Sequence, residues 1–163
     1  MGMNDNLCTI LTRRPDAVAF LNGSETYKAI RGQVFFYELV DSVLVRAEVS
    51  GLPQSNGHCD DPIFAFHIHD GTQCSGTPQN PFSNAGMHYN PNRCQHPYHA
   101  GDMPPLFGVN GSALLLFLTN RFHMWEIIGK TVIIHAKPDD FTTQPSGNSG
   151  EKIACGVIQL TAR

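Results

Sequence analysis

Histidines are concentrated in one stretch of this 163-residue chain. Five of its eight histidines fall between His67 and Asp102, in a segment otherwise rich in Gly, Pro, Asn and Ser. A loop of this length inside a compact domain is uncommon unless it is functional or disordered. Imidazole nitrogens suit zinc and copper. The stretch therefore predicts a metal site instead of regular secondary structure.

Two of these histidines end an apolar segment, Phe66-His67-Ile68-His69. Side chains alternate along a strand, so His67 and His69 share one face while Phe66 and Ile68 share the other. Two imidazoles at i and i+2, with apolar residues behind them, can face the same ion. A lone histidine is more often an ordinary surface or core residue, and that interpretation is kept for His58 and His123.

The elements that must position these side chains are predicted to be strands. Short segments rich in Val, Ile, Phe and Tyr are separated by turn residues and show no helical periodicity, which favours an all-β sandwich or barrel. Residues 1–15 carry little pattern and are predicted to be a loose N-terminal tail, followed by one domain at 16–163. The predicted strands are 17–21, 30–40, 43–49, 63–69, 112–118, 131–135 and 153–160.

Composition narrows the classes of partner. A net charge of −3 gives no reason to expect nucleic acid, and the longest apolar run, 114–118, is far shorter than a membrane span of about 18 residues. The N-terminus lacks the basic and apolar regions of a secretory signal. We therefore expect a cytoplasmic protein, with a secreted or periplasmic form whose signal was removed as the alternative.

Several motifs resemble, in order, those of the copper/zinc superoxide dismutase family, from about residue 17 to the C-terminus. No single motif is decisive, but their order along the chain is specific. The motifs are Phe66–His69, Gly86–Pro91, His99–Asp102, Gly108–Gly111, Gly129–Lys130, His135, Asp139–Asp140, Gly147–Asn148 and Ile153–Ile158.

The resemblance implies a fold, two cofactors and an activity. The fold is an eight-stranded Greek-key flattened barrel or immunoglobulin-like sandwich with long metal-binding and electrostatic loops. The cofactors are a copper ion and a zinc ion, and the reaction converts superoxide to oxygen and hydrogen peroxide by redox cycling of copper. The implied copper ligands are His67, His69, His88 and His135. The implied zinc ligands are His88, His96, His99 and Asp102.

Three further roles are implied by position in the motifs. His88 bridges the two ions and delivers a proton to the product. Asp139 accepts hydrogen bonds from His67 and His96, which orients both rings. Lys152 takes the place of the arginine that guides the anion, but it lacks the forked geometry of a guanidinium, and Glu151 beside it weakens the positive field.

The substitution at Lys152 leaves alternatives open. One is a non-catalytic relative that binds copper or zinc for storage, delivery or structure. Another is a zinc-only β-sandwich interaction domain. We also expect a copper chaperone as partner and a homodimer, although the short segment between His69 and Cys74 argues against an interface of the eukaryotic type. The segment between His96 and His99 is short as well.

Five cysteines are present and no Cys-x-x-Cys pair occurs, which disfavours a thiolate zinc ribbon. The resemblance implies a disulfide between Cys74 and Cys155. Cys59 and Cys94 have no counterpart in the motifs, so they are predicted to form a second disulfide, with Cys94 as a metal ligand as the rival interpretation. Cys8 is expected to be unpaired.

Overall fold

The structure is a computed structural model that describes residues 6–55, 57 and 62–162. In this part of the chain there are nine strands and two α-helices, with one 3₁₀ turn at Ser83–Ala85. The helices are α1 (Leu7–Thr12) and α2 (Met124–Ile127). The strands are β1 (Ala17–Gly23), β2 (Arg31–Glu38), β3 (Val43–Ser50), β4 (Ile63–Phe64), β5 (Phe66–His69), β6 (Leu106–Phe107), β7 (Ser112–Thr119), β8 (Thr131–His135) and β9 (Lys152–Leu160).

Seven strands form one antiparallel sheet in the order β5-β8-β9-β1-β2-β3-β7, and β4 pairs with β6 in a second ladder. Because β4 leads into β5 and β6 leads into β7, the short ladder lies between the two edges of the large sheet. Strand β3 pairs with β7 and not with β4, which requires a long connection of the Greek-key kind. The all-β prediction is confirmed.

The predicted strand 63–69 is interrupted at Ala65. Its N–H donates to the carbonyl of Lys137 and its carbonyl accepts from the N–H of His135. Ala65 therefore pairs with the end of β8 although it belongs to neither ladder. These hydrogen bonds fix the position of His135 along β8, so that it lies beside His67 and His69.

Strand β8 is buried along its whole length, because each of its faces is covered. Val132 and Ile134 face the main core, whereas Ile133 packs with Phe82 and Cys155 under the loop that follows β5. Each fully buried Ile contributes about 1.5–3 kcal/mol of burial free energy. The loop is thus held onto the sheet by apolar contacts beside the histidines.

The prediction of a loose tail is wrong for Leu7–Thr12, which form α1. The Asn6 side chain accepts a hydrogen bond from the Thr9 N–H at 3.0 Å, and Ile10 packs against Tyr37 and Leu44. Six residues span fewer than two turns, so no periodicity shows in the sequence, and packing stabilises such a short helix. The predicted boundary between an N-terminal tail at 1–15 and a domain at 16–163 stays a prediction.

Strand β7 is followed by the second helix, α2. Glu126 accepts a hydrogen bond from the His123 N–H at 2.6 Å, which caps the helix. Met124 is buried and Trp125 is exposed. Within the described residues neither helix is long and apolar enough to cross a membrane.

Candidate metal centre

Four histidines from three elements converge on one point. Strand β5 supplies His67 and His69, the end of β8 supplies His135, and the loop after β5 supplies His88. One nitrogen of each ring lies within 4.8 Å of the corresponding nitrogens of the others, and all four residues are buried. The alternation predicted for β5 is therefore what brings two of these imidazoles together.

Two of these rings are oriented by backbone carbonyls. Nδ1 of His69 donates to the carbonyl of Gly86 at 2.9 Å, and Nδ1 of His135 donates to that of Gly150 at 3.2 Å. The Nε2 atoms of His69 and His135 then lie 3.2 Å apart with their lone pairs toward the centre. The two carbonyls fix the tautomer in which Nε2 is free to bind an ion.

The other two rings present nitrogens that have no partner. Nδ1 of His67 and Nε2 of His88 are buried and make no hydrogen bond with described residues. A buried polar atom left unpaired costs about 1–3 kcal/mol. Four neutral imidazole nitrogens around one point form a donor set that suits Cu(II). The residues present therefore fit copper.

A second set shares one residue with the first. Oδ1 of Asp102 lies 2.7 Å from Nδ1 of His88, and Oδ2 lies 3.1 Å from Nδ1 of His96. This His96 nitrogen is buried and has no hydrogen-bond partner among the residues described. Nδ1 of His99 lies 3.4 Å from Nδ1 of His88. Three imidazoles and one carboxylate match the donors and the number of ligands that zinc prefers.

Asp139 lies behind the two sets and joins them. Oδ2 accepts a hydrogen bond from Nε2 of His67 at 2.8 Å, and Oδ1 accepts one from Nε2 of His96 at 2.8 Å. Gly147 passes directly over this carboxylate with φ +66°, and a Cβ at this position would lie 2.0 Å from Oδ1. Glycine is required there because any side chain would displace the carboxylate.

Backbone hydrogen bonds attach the second set to β5. The N–H of Ile68 donates to the carbonyl of Gly101, and the carbonyl of Ile68 accepts from the N–H of Tyr89. A Cβ on Gly101 would lie 2.2 Å from the Ile68 carbonyl oxygen, so the close approach depends on glycine. The two segments that carry His88 and Asp102 are thus tied to the strand that carries His67.

Burial keeps the imidazoles neutral, which is the form that binds metal. It lowers the pKa of His67 to about 4 and that of His135 to about 3, and it places the pKa of His69 well below 6.5. Burial alone would raise the pKa of Asp102, but the hydrogen bond with His88 and the charges of His88, His99 and His96 together lower it. The pKa of Asp139 is lowered in the same way, with the hydrogen bond from His67 as the main opposing cause.

Lys152 begins β9 beside the four-histidine set. Nζ donates to the carbonyl of Gly86 at 2.7 Å and to that of Phe82 at 3.3 Å. Burial lowers the pKa of Lys152, whereas the negative charge of Asp70 raises it. The ammonium group is therefore fixed by the backbone and does not move freely in solvent.

The carboxylate that acts on Lys152 differs from the one expected. Glu151 was predicted to weaken the positive field, but its Oε1 accepts a hydrogen bond from the hydroxyl of Tyr27 at 2.6 Å. Asp70 accepts one from the Met87 N–H at 3.0 Å, and its charge acts on Lys152. The prediction from chain adjacency is wrong because the Glu151 carboxylate is held by Tyr27.

The cysteines agree in part with the expectation. Cys74 and Cys155 form a disulfide that links the loop after β5 to β9. Cys94 is exposed and belongs to neither metal-ligating group among the described residues. Its pairing with Cys59 concerns a residue outside the described part of the chain, so that pairing stays a prediction. Cys8 is exposed and forms no disulfide with a cysteine that the structure describes.

Two side chains that hold the second set were not found from the sequence. Arg121 donates to backbone carbonyls around His99, and Gln144 makes two hydrogen bonds with the backbone of His96. Neither residue belongs to a motif. Their partners are 22 and 48 positions away, so no local pattern could have indicated them.

Comparison with known proteins gives consistent matches. The family model described as "Copper/zinc superoxide dismutase (SODC)" matches residues 30–158. A protein of Deinococcus radiodurans named "Superoxide dismutase [Cu-Zn]" is 35% identical over 133 residues, covering 71% of this chain and 69% of the relative.

Relatives from two other bacteria give similar values. "Superoxide dismutase [Cu-Zn] 2" of Aquifex aeolicus is 30% identical over 143 residues, covering 78% of each chain. "Superoxide dismutase [Cu-Zn]" of Legionella pneumophila is 32% identical over 136 residues, covering 78% of this chain and 77% of the relative. The region that the family model matches contains every residue of both ligand sets, and the chain belongs to the copper/zinc superoxide dismutase family.

Proposed function

We propose that the two ligand sets work as one bimetallic centre with a shared imidazole. The chain is a superoxide dismutase, and superoxide is its substrate. Bound copper supplies one-electron redox chemistry, and bound zinc supplies a fixed charge at the shared ring. In this proposal copper is bound by His67, His69, His88 and His135, and zinc by His88, His96, His99 and Asp102.

The observation that carries the proposal is the position of His88. Its Nε2 is buried, has no hydrogen-bond partner in the described part of the chain and belongs to the four-histidine set, while its Nδ1 lies 2.7 Å from the Asp102 carboxylate of the other set. A ring that offers both nitrogens to ligand groups must lose both protons, which two flanking cations favour. The same Nε2, once it carries a proton, can deliver that proton to the peroxide product.

The supporting residues act on the orientation of the rings. Asp139 holds Nε2 of His67 and of His96, so both rings turn Nδ1 toward their ions. Losing such a partner typically costs 10- to 100-fold in metal affinity. Asp139 thereby couples the two sets without binding either ion.

We further propose that Lys152 attracts superoxide toward the four-histidine set. The support is its ammonium group, which shares the Gly86 carbonyl with His69. An ammonium is a point charge without the forked donors of a guanidinium, so it attracts an anion but orients it less well. Asp70 nearby reduces the net positive field.

Metal analysis and a superoxide assay on one sample test the proposal. Protein loaded with both ions should contain about one copper and one zinc per chain and should accelerate superoxide decay. His88→Ala should lose most of this activity and bind the two ions independently. A fully active His88→Ala protein would contradict the shared ring.

A second candidate is a non-catalytic copper- and zinc-binding relative. The observation that favours it is Lys152 in place of arginine, with the Asp70 charge nearby. Full loading with both ions and superoxide decay no faster than in a metal-free sample would support this candidate. Acceleration by the loaded protein would exclude it.

Self-association is also proposed, through the outer face of β7. Leu114, Leu116 and Leu118 lie on that face, and Leu114 is 74% exposed. An apolar row on an outer strand is typical of an interaction surface. Sedimentation should give a dimer for the wild type and a monomer for Leu116→Glu, and a wild-type monomer at micromolar concentration would contradict this proposal.

Two expectations about the cell remain proposals. Copper delivery by a chaperone is supported by the burial of all four histidines of the first set. It predicts faster loading from a copper-carrying protein than from a small chelator. The cytoplasmic location, with a secreted or periplasmic form as alternative, is tested by fractionating cells of the source organism.

A further inference from the structure

The segment that carries the zinc ligands has no helix or strand of its own. Only two residues separate His96 from His99, and all backbone groups in between need partners. Gln144 supplies them at the start: its Oε1 accepts from the His96 N–H at 3.0 Å and its Nε2 donates to the His96 carbonyl at 2.7 Å.

Arg121 supplies the partners at the other end of the segment. Its Nη1 lies 2.9 Å from the carbonyl oxygen of Pro97, 3.3 Å from that of His99 and 3.2 Å from that of Asp102. Two of these carbonyls belong to proposed zinc ligands. For the carbonyls of Pro97 and Asp102, Arg121 is the hydrogen-bond partner within the described residues.

The convergence of these carbonyls has an electrostatic consequence. The negative ends of three carbonyl dipoles point at one nitrogen and repel one another. A cation at that point offsets the repulsion, because hydrogen bonds from a charged donor are stronger than those from a neutral one. Without the cation the segment would be expected to spread and carry the rings of His96 and His99 apart.

Arg121 is itself attached to the sheet. It follows β7, its N–H donates to the Thr119 hydroxyl at 3.2 Å, and the next residue, Phe122, is buried in the main core. The guanidinium therefore transmits the position of β7 to the zinc segment. Its effect acts through the backbone, because no atom of Arg121 belongs to either ligand set.

We infer that Arg121 is a positioning residue that holds the zinc segment in ligating geometry before zinc binds. The inference rests on the proposed zinc ligand set and extends it to a residue that touches neither ion. It predicts that the affinity for zinc depends on a cation with several donors at position 121. It also predicts that the copper affinity of the zinc-free protein does not depend on a cation at position 121.

The experiment measures zinc affinity by competition with a chromophoric chelator in full-length protein. Arg121→Met keeps the length of the stem but removes charge and donors, and we expect about 10- to 100-fold weaker zinc binding. Arg121→Lys restores a cation with three donors and should recover most of the loss. Arg93→Met is the matched control, since Arg93 lies exposed in the same loop and its guanidinium makes no hydrogen bond with described residues.

The outcomes separate the inference from the ligand assignment. Wild-type zinc affinity in Arg121→Met would overturn the inference, as would an equal loss of copper affinity in the zinc-free protein, which would indicate general unfolding. If Arg121→Met does not fold, Arg121→Gln is measured in its place, because its amide keeps two N–H donors for the carbonyls but carries no charge. Wild-type zinc affinity in Arg121→Gln would likewise overturn the inference. Failure of the wild type to bind zinc would instead contradict the zinc ligand set.

Discussion

Lys152 and His69 donate hydrogen bonds to the same carbonyl oxygen, that of Gly86, at 2.7 Å and 2.9 Å. The ammonium group is therefore one carbonyl away from a ring proposed to bind copper. Asp70 accepts a hydrogen bond from the N–H of the same peptide unit, which belongs to Met87. A cation and an anion thus lie at opposite ends of the peptide that precedes His88.

This arrangement predicts that Lys152 controls the capture of superoxide. Lys152→Gln should lower kcat/KM by about 10-fold or more at low ionic strength, because the charge that attracts the anion is lost. The difference from the wild type should shrink as salt is added, since salt screens the field. Pulse radiolysis at several ionic strengths measures both quantities.

Lys28→Gln is the matched control, because it removes the same charge from an exposed residue outside the loops of the metal centre. Its rate should stay close to that of the wild type at every salt concentration. Equal losses in the two variants would show that net charge, and not the position of Lys152, determines the rate.

Removal of the negative charge of Asp70 should raise the rate of superoxide capture, whereas removal of the Lys152 charge should lower it. Asp70→Asn keeps an oxygen that accepts from the Met87 N–H but loses the negative charge beside Lys152. We expect a higher kcat/KM at low ionic strength and convergence with the wild type at high salt. A rate that falls, or a gain that persists in high salt, would indicate that Asp70 acts through structure and not through its charge.

Asp139 should matter for both metals at once. In Asp139→Asn one oxygen is replaced by an NH₂ group, which cannot accept from the ring N–H of His67 or His96. Copper and zinc affinities should both fall by about 10- to 100-fold, measured by chelator competition. Asp140→Asn is the control, since that exposed carboxylate accepts hydrogen bonds within its own turn; metal affinities equal in the two variants would contradict the role of Asp139.

The free energy of unfolding of the metal-free protein should decrease as the pH is lowered from about 6.5 to 4. Burial lowers the pKa of His67 from 6.5 to about 4 and that of His135 to about 3. Between these values and 6.5 the unfolded chain binds more protons than the folded chain, so stability is complete above about pH 6.5 and is lost toward pH 4. His67 alone should account for about 3 kcal/mol.

Urea unfolding of metal-free protein at several pH values measures this loss. His67→Asn removes the titrating ring and should flatten the pH dependence, whereas His123→Gln, which alters an exposed residue, should not. An unfolding free energy that is constant between pH 7 and pH 4 would contradict the effect of burial on these histidines.

The grouping of the histidines could be predicted because their motifs are local. Phe66–His69 alternate along one strand, and the order of the remaining motifs assigns His88, His135 and Asp139. Side-chain spacing on a strand is a property of the sequence itself, so the structure only had to bring the segments together. The structure brings together the same residues that the resemblance implied as ligands, and their binding of metal stays a prediction.

The residues that sequence could not reveal act across long distances in the chain. The three Arg121 contacts span between 19 and 24 positions, and the bond from Lys152 to Gly86 spans 66. In each case the acceptor is a backbone carbonyl, which every residue has, so its identity leaves no trace in the sequence. The sequence also assigned to Glu151 the effect on Lys152 that the Asp70 charge has in the structure. Two residues adjacent in the chain need not direct their side chains to the same place.

Electron paramagnetic resonance can show whether the His88 ring binds both ions. With copper in the four-histidine set and cobalt(II) in place of zinc, an imidazolate bound to both ions couples their unpaired electrons. If His88 joins the two ions, the Cu(II) signal should disappear as cobalt fills the second set. An undiminished Cu(II) signal at full cobalt occupancy would show that His88 does not join the two ions.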